Sequence, residues 1–129
     1  MRLLDACCKA GGASDGYASA GWQVTGIDIE PQPNYPYRFI LGDALEYIWE
    51  HGAEYDAIHA SWPCQKFTAY RRKGHGVGEG YLNLIPQGRV ALISTGKPWI
   101  MENVAGAPLR RPVQPVKYDR HHFESDLCI

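Results

Sequence analysis

Short apolar runs that end in a glycine, a proline or a single acid set the pattern along the chain. Leu3-Leu4-Asp5-Ala6 reads as a short buried strand running into Lys9-Ala10-Gly11-Gly12, and residues 13–20 suit a short helix closed by Gly21. Val24 to Asp28 gives a second strand ending in an acid, after which Pro31, Pro33 and Pro36 interrupt regular structure. A third strand is predicted over Tyr37 to Leu41, and a helix over Ala44 to His51 with Leu45, Ile48 and Trp49 on one face. Tyr55 to Ala60 predicts a fourth strand, which leads into Ser61-Trp62-Pro63-Cys64. Residues 66–80, basic and with glycine at 74, 76, 78 and 80, predict a mobile loop. A helix follows around Pro86 to Thr95, and Trp99 to Met101 supplies a fifth strand that delivers Glu102-Asn103-Val104. Beyond it lie Pro108, Pro112 and Pro115 and no clear period, so the pattern predicts no element there.

Strands alternating with helices predict an α/β fold with a doubly wound, mainly parallel sheet. Asp5, Asp28, Asp43, Pro63-Cys64 and Glu102-Asn103 all fall at or just past the carboxyl ends of their strands. That is the edge where such sheets bind ligands.

Composition narrows the class. At 129 residues, 45% hydrophobic and 21% charged, the chain suits one globular domain. Val90-Ala91-Leu92-Ile93 is far short of the ~20 apolar residues of a membrane span. Asp5 stands where a signal peptide needs its apolar centre, so an intracellular, cytoplasmic protein is expected. Cys7, Cys8, Cys64 and Cys128 lack CxxC spacing; reduced thiols and no metal site are expected. The net charge of −1 hides an asymmetry: residues 1–60 hold three basic residues against nine acids, and residues 61–129 hold ten against five. Lys66, Arg71, Arg72 and Lys73, then Arg110, Arg111, Lys117 and Arg120, form the surface a polyanion would require, although a solvated surface explains the charge equally well.

A glycine turn before a helix lets a ligand approach the backbone, and an acid ending the second strand, Asp28, suits the two hydroxyls of a ribose. Together they point to a nucleoside-containing cofactor, with a dinucleotide and S-adenosylmethionine both open. Three motifs then occur in order at strand ends: Leu4-Asp5-Ala6-Cys7-Cys8-Lys9-Ala10-Gly11-Gly12-Ala13-Ser14, Trp62-Pro63-Cys64-Gln65 and Glu102-Asn103-Val104. They resemble the cofactor loop, the PCQ nucleophile motif and the ENV motif of the cytosine-C5 DNA methyltransferases. The resemblance covers about residues 3–108 and is nearest to compact bacteriophage-encoded members, which share a connection like Pro31-Gln32-Pro33-Asn34-Tyr35-Pro36.

The resemblance implies a Rossmann-like S-adenosylmethionine-dependent methyltransferase fold in one catalytic domain over 1–129. It has a cofactor half over about 1–60, a nucleophile and target-base half over about 61–108, and an irregular tail over 109–129. It implies that Cys64 adds to C6 of cytosine and makes C5 nucleophilic, a task for which a thiol that ionises near neutral pH is suited. Pro63 and Cys64 would form the nucleophile turn, Asn103 would brace it, and Glu102 would hold the N3 and amino edge of the base. S-adenosylmethionine would meet Asp5, the backbone of Gly11 and Gly12, Asp28 at the ribose, Ile29 at the adenine face, Asp43 at the adenine amino group, and Ala44. Asp43 also suits a helix N-cap, and both tasks fit it. DNA would meet Gln65, Arg71, Arg72, Lys73 and Arg89, the last equally readable as an ordinary helix-surface arginine.

The sequence departs from the family in three places. Cys7 and Lys9 stand at the Phe and the first Gly of the usual Phe-x-Gly-x-Gly, which removes a packing aromatic. Lys9 also brings a cation that, ~5 Å from a sulfonium, would be repelled by about 3 kcal/mol at an effective dielectric of 20. Asp119-Arg120-His121-His122-Phe123-Glu124 stands where an Arg-x-Arg motif belongs. The family's target-recognition region and final helix have no counterpart before Ile129, so a second subunit or self-association is expected to supply recognition, with single-stranded or mismatched DNA the better substrate. Two other functions stay open: a degenerate, non-catalytic cofactor- or DNA-binding module, and an RNA cytosine-C5 methyltransferase. An NAD-dependent oxidoreductase is disfavoured, because hydride transfer has no use for Pro63-Cys64-Gln65 paired with Glu102-Asn103.

Overall fold

The structure is a computed structural model that describes residues 1–63, 83–104, 107–110, 117–118 and 121–126. Its elements run β1 (Arg2–Ala6), α1 (Gly12–Ser19), β2 (Gln23–Asp28), β3 (Arg38–Leu41), α2 (Ala44–His51), a 3-10 turn (Gly52–Glu54) and β4 (Ala57–Ser61). After these come α3 (Ile85–Ser94), β5 (Trp99–Val104), β6 (Lys117–Tyr118) and β7 (His121–Ser125).

The strands form one seven-stranded sheet in the order β3-β2-β1-β4-β5-β7-β6. Strands β1 to β5 are mutually parallel, β7 is antiparallel to β5, and β6 is antiparallel to β7. The order reverses between β1 and β4, where consecutive crossovers leave in opposite directions and the strand ends splay into a crevice. The core is Leu4, Ala6, Ile27, Ile58, Ala60 and Met101 from the strands against Ala44, Ile48, Ile85, Ala91 and Leu92 from α2 and α3. None of the helices described is long and apolar enough to cross a membrane.

Three expectations need correction. Trp49 does not face the core: it is 55% exposed, because the buried stripe of α2 runs through Ala44 and Ile48, four residues apart. Glu102, Asn103 and Val104 are the last three residues of β5 rather than an extension beyond it, since β7 pairs alongside and continues the ladder through Val104. The tail after residue 108 contains two strands that periodicity does not predict. The loop expected over 66–80 lies wholly within residues 64–82, outside the described residues.

Parallel pairing also sorts the polar groups by face. Asp5 is opposite His59, Ser61 is opposite Glu102, and Val104, two residues on from Glu102, is opposite His121. These side chains therefore share one face of the sheet, the face α1 covers through Tyr17. Asn103 and Glu124 take the other face, toward α3.

Candidate functional site

The turn after β1 is built on left-handed backbone. Cys7 (φ 59°), Lys9 (φ 49°) and Gly11 (φ 94°) all have positive φ, and the Lys9 amide donates to Asp28 Oδ2 at 3.1 Å. The Glu30 amide donates to Asp28 Oδ1 at 3.0 Å, so this buried carboxylate ties the ends of β1 and β2 together. Each oxygen keeps acceptor capacity beyond that one bond. Gly11 has no Cβ where Tyr35 packs; one built there would lie 3.0 Å from the Tyr35 ring. Tyr35 in turn reaches Ser14, whose hydroxyl donates to Asp5 Oδ2 at 2.5 Å. Burial raises the Asp5 carboxyl above its ordinary pKa, with His59 and the Ser14 hydroxyl acting against that rise, and Asp5 Oδ1 is buried without a hydrogen-bond partner among the described residues.

Two cavities adjoin at the carboxyl edge of the sheet. One is lined by Asp28, Ile29, Asp43, Ala44, Leu45 and Leu84; the other by Ser61, Glu102, Asn103, Val104 and His121. Cys7, Lys9, Trp62 and Pro63 line both, and so form the wall between them.

In the first cavity Ile29 offers an exposed apolar face. Asp43 caps α2, accepting from the Glu46 amide at 2.9 Å through Oδ1. Asp5, Gly11 and Gly12 are not among the residues lining these two cavities. Asp5 is sealed beneath the turn by Ser14 and Gly11 by Tyr35, so the loop presents Cys7 and Lys9 instead. Lys9 does not send its ammonium toward the cavity unopposed: it pairs with Glu30 at 3.7 Å, at a solvated position.

In the second cavity the Asn103 side-chain amide donates to the Trp62 carbonyl at 2.9 Å, which fixes the peptide leading into Pro63. The Trp62 ring lies on Gly88 of α3, where a Cβ would come within 2.3 Å of it. Glu102 lies 3.4 Å from His59 Nε2 and 3.3 Å from His121 Nδ1. The hydrogen bond to His59, with the two imidazoles beside it, holds the Glu102 carboxyl below its ordinary pKa against the opposing cost of burial. Sequence reasoning missed His59, His121 and Tyr17; the signal for His59 was a lone imidazole inside the apolar strand Ala57-Ile58-His59-Ala60.

Arg89 is not a surface residue. It is 8% exposed, its Nε and Nη2 donate to Glu124 Oε1 and Oε2 at 2.5 and 2.7 Å, and Nη2 also reaches the Pro108 carbonyl at 3.1 Å. This buried fork anchors β7 to α3. Cys64, Gln65, Arg71, Arg72 and Lys73 lie outside the described residues. Cys7 and Cys8 are free, and burial together with nearby carboxylates (Asp28 chiefly for Cys7, Asp5 for Cys8) pushes both thiols up to about 12. They are protonated at neutral pH and ill suited to nucleophilic attack.

No protein-family model and no curated protein sequence matches this chain. Solved structures do. A hypothetical protein of Thermus thermophilus is 12% identical over 96% of this chain and 73% of its own, with a TM-score of 0.61. The SAM-dependent methyltransferase of Agrobacterium tumefaciens is 20% identical over 81% of this chain and 39% of its own, with a TM-score of 0.52. The bifunctional kinase-methyltransferase WbdD is 17% identical over 95% of this chain and 33% of its own, with a TM-score of 0.56. The chain thus spans well under half the length of either methyltransferase. At these identities the likeness establishes the fold: a Rossmann-like, mainly parallel α/β sheet of the kind found in S-adenosylmethionine-dependent methyltransferases.

Proposed function

We propose that the protein transfers a methyl group from S-adenosylmethionine to C5 of cytosine in DNA, through a covalent intermediate on Cys64. The observation that carries this reading is the pair of adjoining cavities, one walled by Asp28, Ile29 and Asp43 and the other by Glu102 and Asn103, with Pro63 lining both. Cys64 is joined to Pro63 in the chain. A reaction that joins a nucleoside cofactor to a base needs two pockets open to each other and a nucleophile at their boundary.

The residues of the first cavity fit the cofactor. Asp28 has acceptor capacity left for ribose hydroxyls, Ile29 offers a flat apolar face to adenine, and the second oxygen of Asp43 is free of the helix-capping bond. When bound, the cofactor supplies the methyl group as a sulfonium electrophile. In the second cavity the Cys64 thiolate adds to C6 of the cytosine, which places an electron pair at C5 for the new carbon–carbon bond. Loss of the C5 proton and then of Cys64 from C6 restores the aromatic ring. Glu102 accepts a hydrogen bond from the cytosine amino group and, once N3 takes up a proton from solvent as C6 is attacked, from that N3–H as well, so it stabilises the protonated ring. Asn103 holds the Trp62 peptide, and through it the start of the nucleophile turn.

DNA enters this reading through base extrusion, which costs a few kcal/mol of stacking and pairing in a duplex and less in a single strand. Arg71, Arg72, Lys73, Arg110 and Arg111 are the groups we assign to phosphates, so binding should fall steeply with salt. Tritium transfer from labelled S-adenosylmethionine to matched oligonucleotides tests the reading. Label should enter single-stranded cytosine faster than duplex cytosine, and 5-methylcytosine not at all. Absence of transfer to any cytosine, with the cofactor shown to bind by calorimetry, would make the protein a binding module instead.

A further inference from the structure

The reaction as described uses Glu102 but none of the groups that surround it. On the face of the sheet covered by α1, five side chains form a connected cluster from the helix to the edge of the second cavity. The Tyr17 hydroxyl lies 2.9 Å from His59 Nδ1, His59 Nε2 lies 3.0 Å from Ser61 Oγ and 3.4 Å from Glu102 Oε2, and Glu102 Oε1 lies 3.3 Å from His121 Nδ1. His59 is 3% exposed, so its ring has no water-facing position to rotate into. Its ring also stands edge-on to that of Tyr17, with centroids 5.5 Å apart.

We propose that Tyr17 and His59 are positioning residues for Glu102. The tyrosine hydroxyl donates to Nδ1 and leaves the imidazole proton on Nε2. That N–H aims one carboxylate oxygen, while His121 aims the other. The inference rests on the cytosine reading of the second cavity. Its physical reason is that a carboxylate with one oxygen held from β4 and the other from β7 cannot rotate about its last bond. It therefore meets a planar base edge without first losing rotamer freedom. A half-buried carboxylate must also keep its charge to accept from the amino group of the base and from N3 once that nitrogen is protonated, and the two imidazoles lower its pKa in the sense required.

Other charged or titratable groups face the same region. Asp5 of β1 is opposite His59 in the sheet and works against the ionised carboxylate, and Cys7 and Lys9 of the turn line the cavity. Among the described residues no group of three His, Cys, Asp or Glu is arranged to hold a metal.

The test uses the 129-residue protein with the variants His59→Phe, His59→Gln and Tyr17→Phe. Methyl transfer to single-stranded cytosine is measured against pH, and the Glu102 carboxyl is followed by carbon-13 NMR. His59→Phe removes the donor. The Glu102 titration should move to higher pH, the acid limb of the rate profile should move with it, and kcat should fall about tenfold or more with little change in KM. His59→Gln places an amide N–H near the position of Nε2 and should recover most of both. Tyr17→Phe keeps the ring but releases the tautomer, and should give a smaller loss of kcat in the same direction. If His59→Phe does not fold, the other two variants carry the test. An active wild type whose Glu102 titration and kcat are unchanged by these substitutions overturns this proposal alone. A wild type that transfers no methyl group overturns the cytosine reading, and the assignment of Tyr17 and His59 falls with it.

Discussion

The two cavities are held by different kinds of interaction. Asp28 and Asp43 receive hydrogen bonds from the backbone amides of Lys9, Glu30 and Glu46, so the first cavity takes its shape from the chain itself. Glu102 is held by the side chains of His59 and His121, and the wall behind it by the Arg89–Glu124 pair, so the second takes its shape from charges that meet across the sheet. Backbone amides do not titrate in the physiological range, whereas a carboxylate held by side chains loses that hold when it is protonated, and Glu102 is one whose pKa its contacts lower. The cofactor side should therefore be insensitive to pH and the base side sensitive to it.

The sharpest way to separate the two is to remove the nucleophile. Cys64→Ser should abolish methyl transfer, a loss on the order of several powers of ten for a residue of this kind, while leaving S-adenosylmethionine affinity by calorimetry unchanged. A parallel loss of cofactor binding would show that the cavities are not separable. Next in size is the support beneath the base side. Arg89→Met leaves the buried Glu124 carboxylate with the Arg110 backbone amide and no countercharge, and should cost about 3–5 kcal/mol of stability in urea unfolding. A surface arginine at that position would cost less than about 0.5 kcal/mol.

That contrast between surface and interior also marks how far the sequence could be read. Strands β1 to β5 were legible because each is a short apolar run ending in an acid, glycine or proline, and the ligand-binding edge followed from where those runs end. Strand β7 was not, because its inward contact is Glu124 meeting Arg89 rather than an apolar side chain, and hydrophobic periodicity cannot register a buried ion pair. Arg89 was misread for the same reason. Trp49 looked like core because its spacing from Leu45 matched a helical stripe, and only the packing of α2 shows that Ala44 and Ile48 carry the contact. His59 stood in an apolar strand with no partner nearby in sequence; Tyr17 and Glu102 reach it from forty or so residues away on either side.

On the cofactor side, Asp28→Ala should weaken S-adenosylmethionine binding by about 1–3 kcal/mol, the range for charge-assisted hydrogen bonds, by calorimetry. It should leave the pH profile of the chemical step unmoved, since Glu102 is untouched. The smallest effect expected is on stability against pH. Glu102 is held below its ordinary pKa, so its contribution is fully present above the unfolded value and is lost as pH falls through the lowered folded one. Asp5 is raised by burial, so its ionisation opposes folding at neutral pH, and that penalty fades as pH falls through its folded value. Unfolding by urea across the acid range should thus show a shallower acid-side loss in Glu102→Gln than in wild type. A steeper one would mean that the histidines do not stabilise the carboxylate.

The central claim is that Cys64 forms a covalent bond to a cytosine while a methyl donor occupies the neighbouring cavity. Mass spectrometry of the protein mixed with S-adenosylmethionine and a single-stranded oligonucleotide containing 5-fluorocytosine tests it most directly, because fluorine at C5 cannot leave as a proton does and the adduct persists. The expected species is protein plus oligonucleotide plus one methyl group, absent in Cys64→Ser and absent when the cofactor is replaced by its demethylated product. Intact protein alone, under conditions where calorimetry shows the cofactor bound, would contradict the assignment of Cys64 and the reaction built on it.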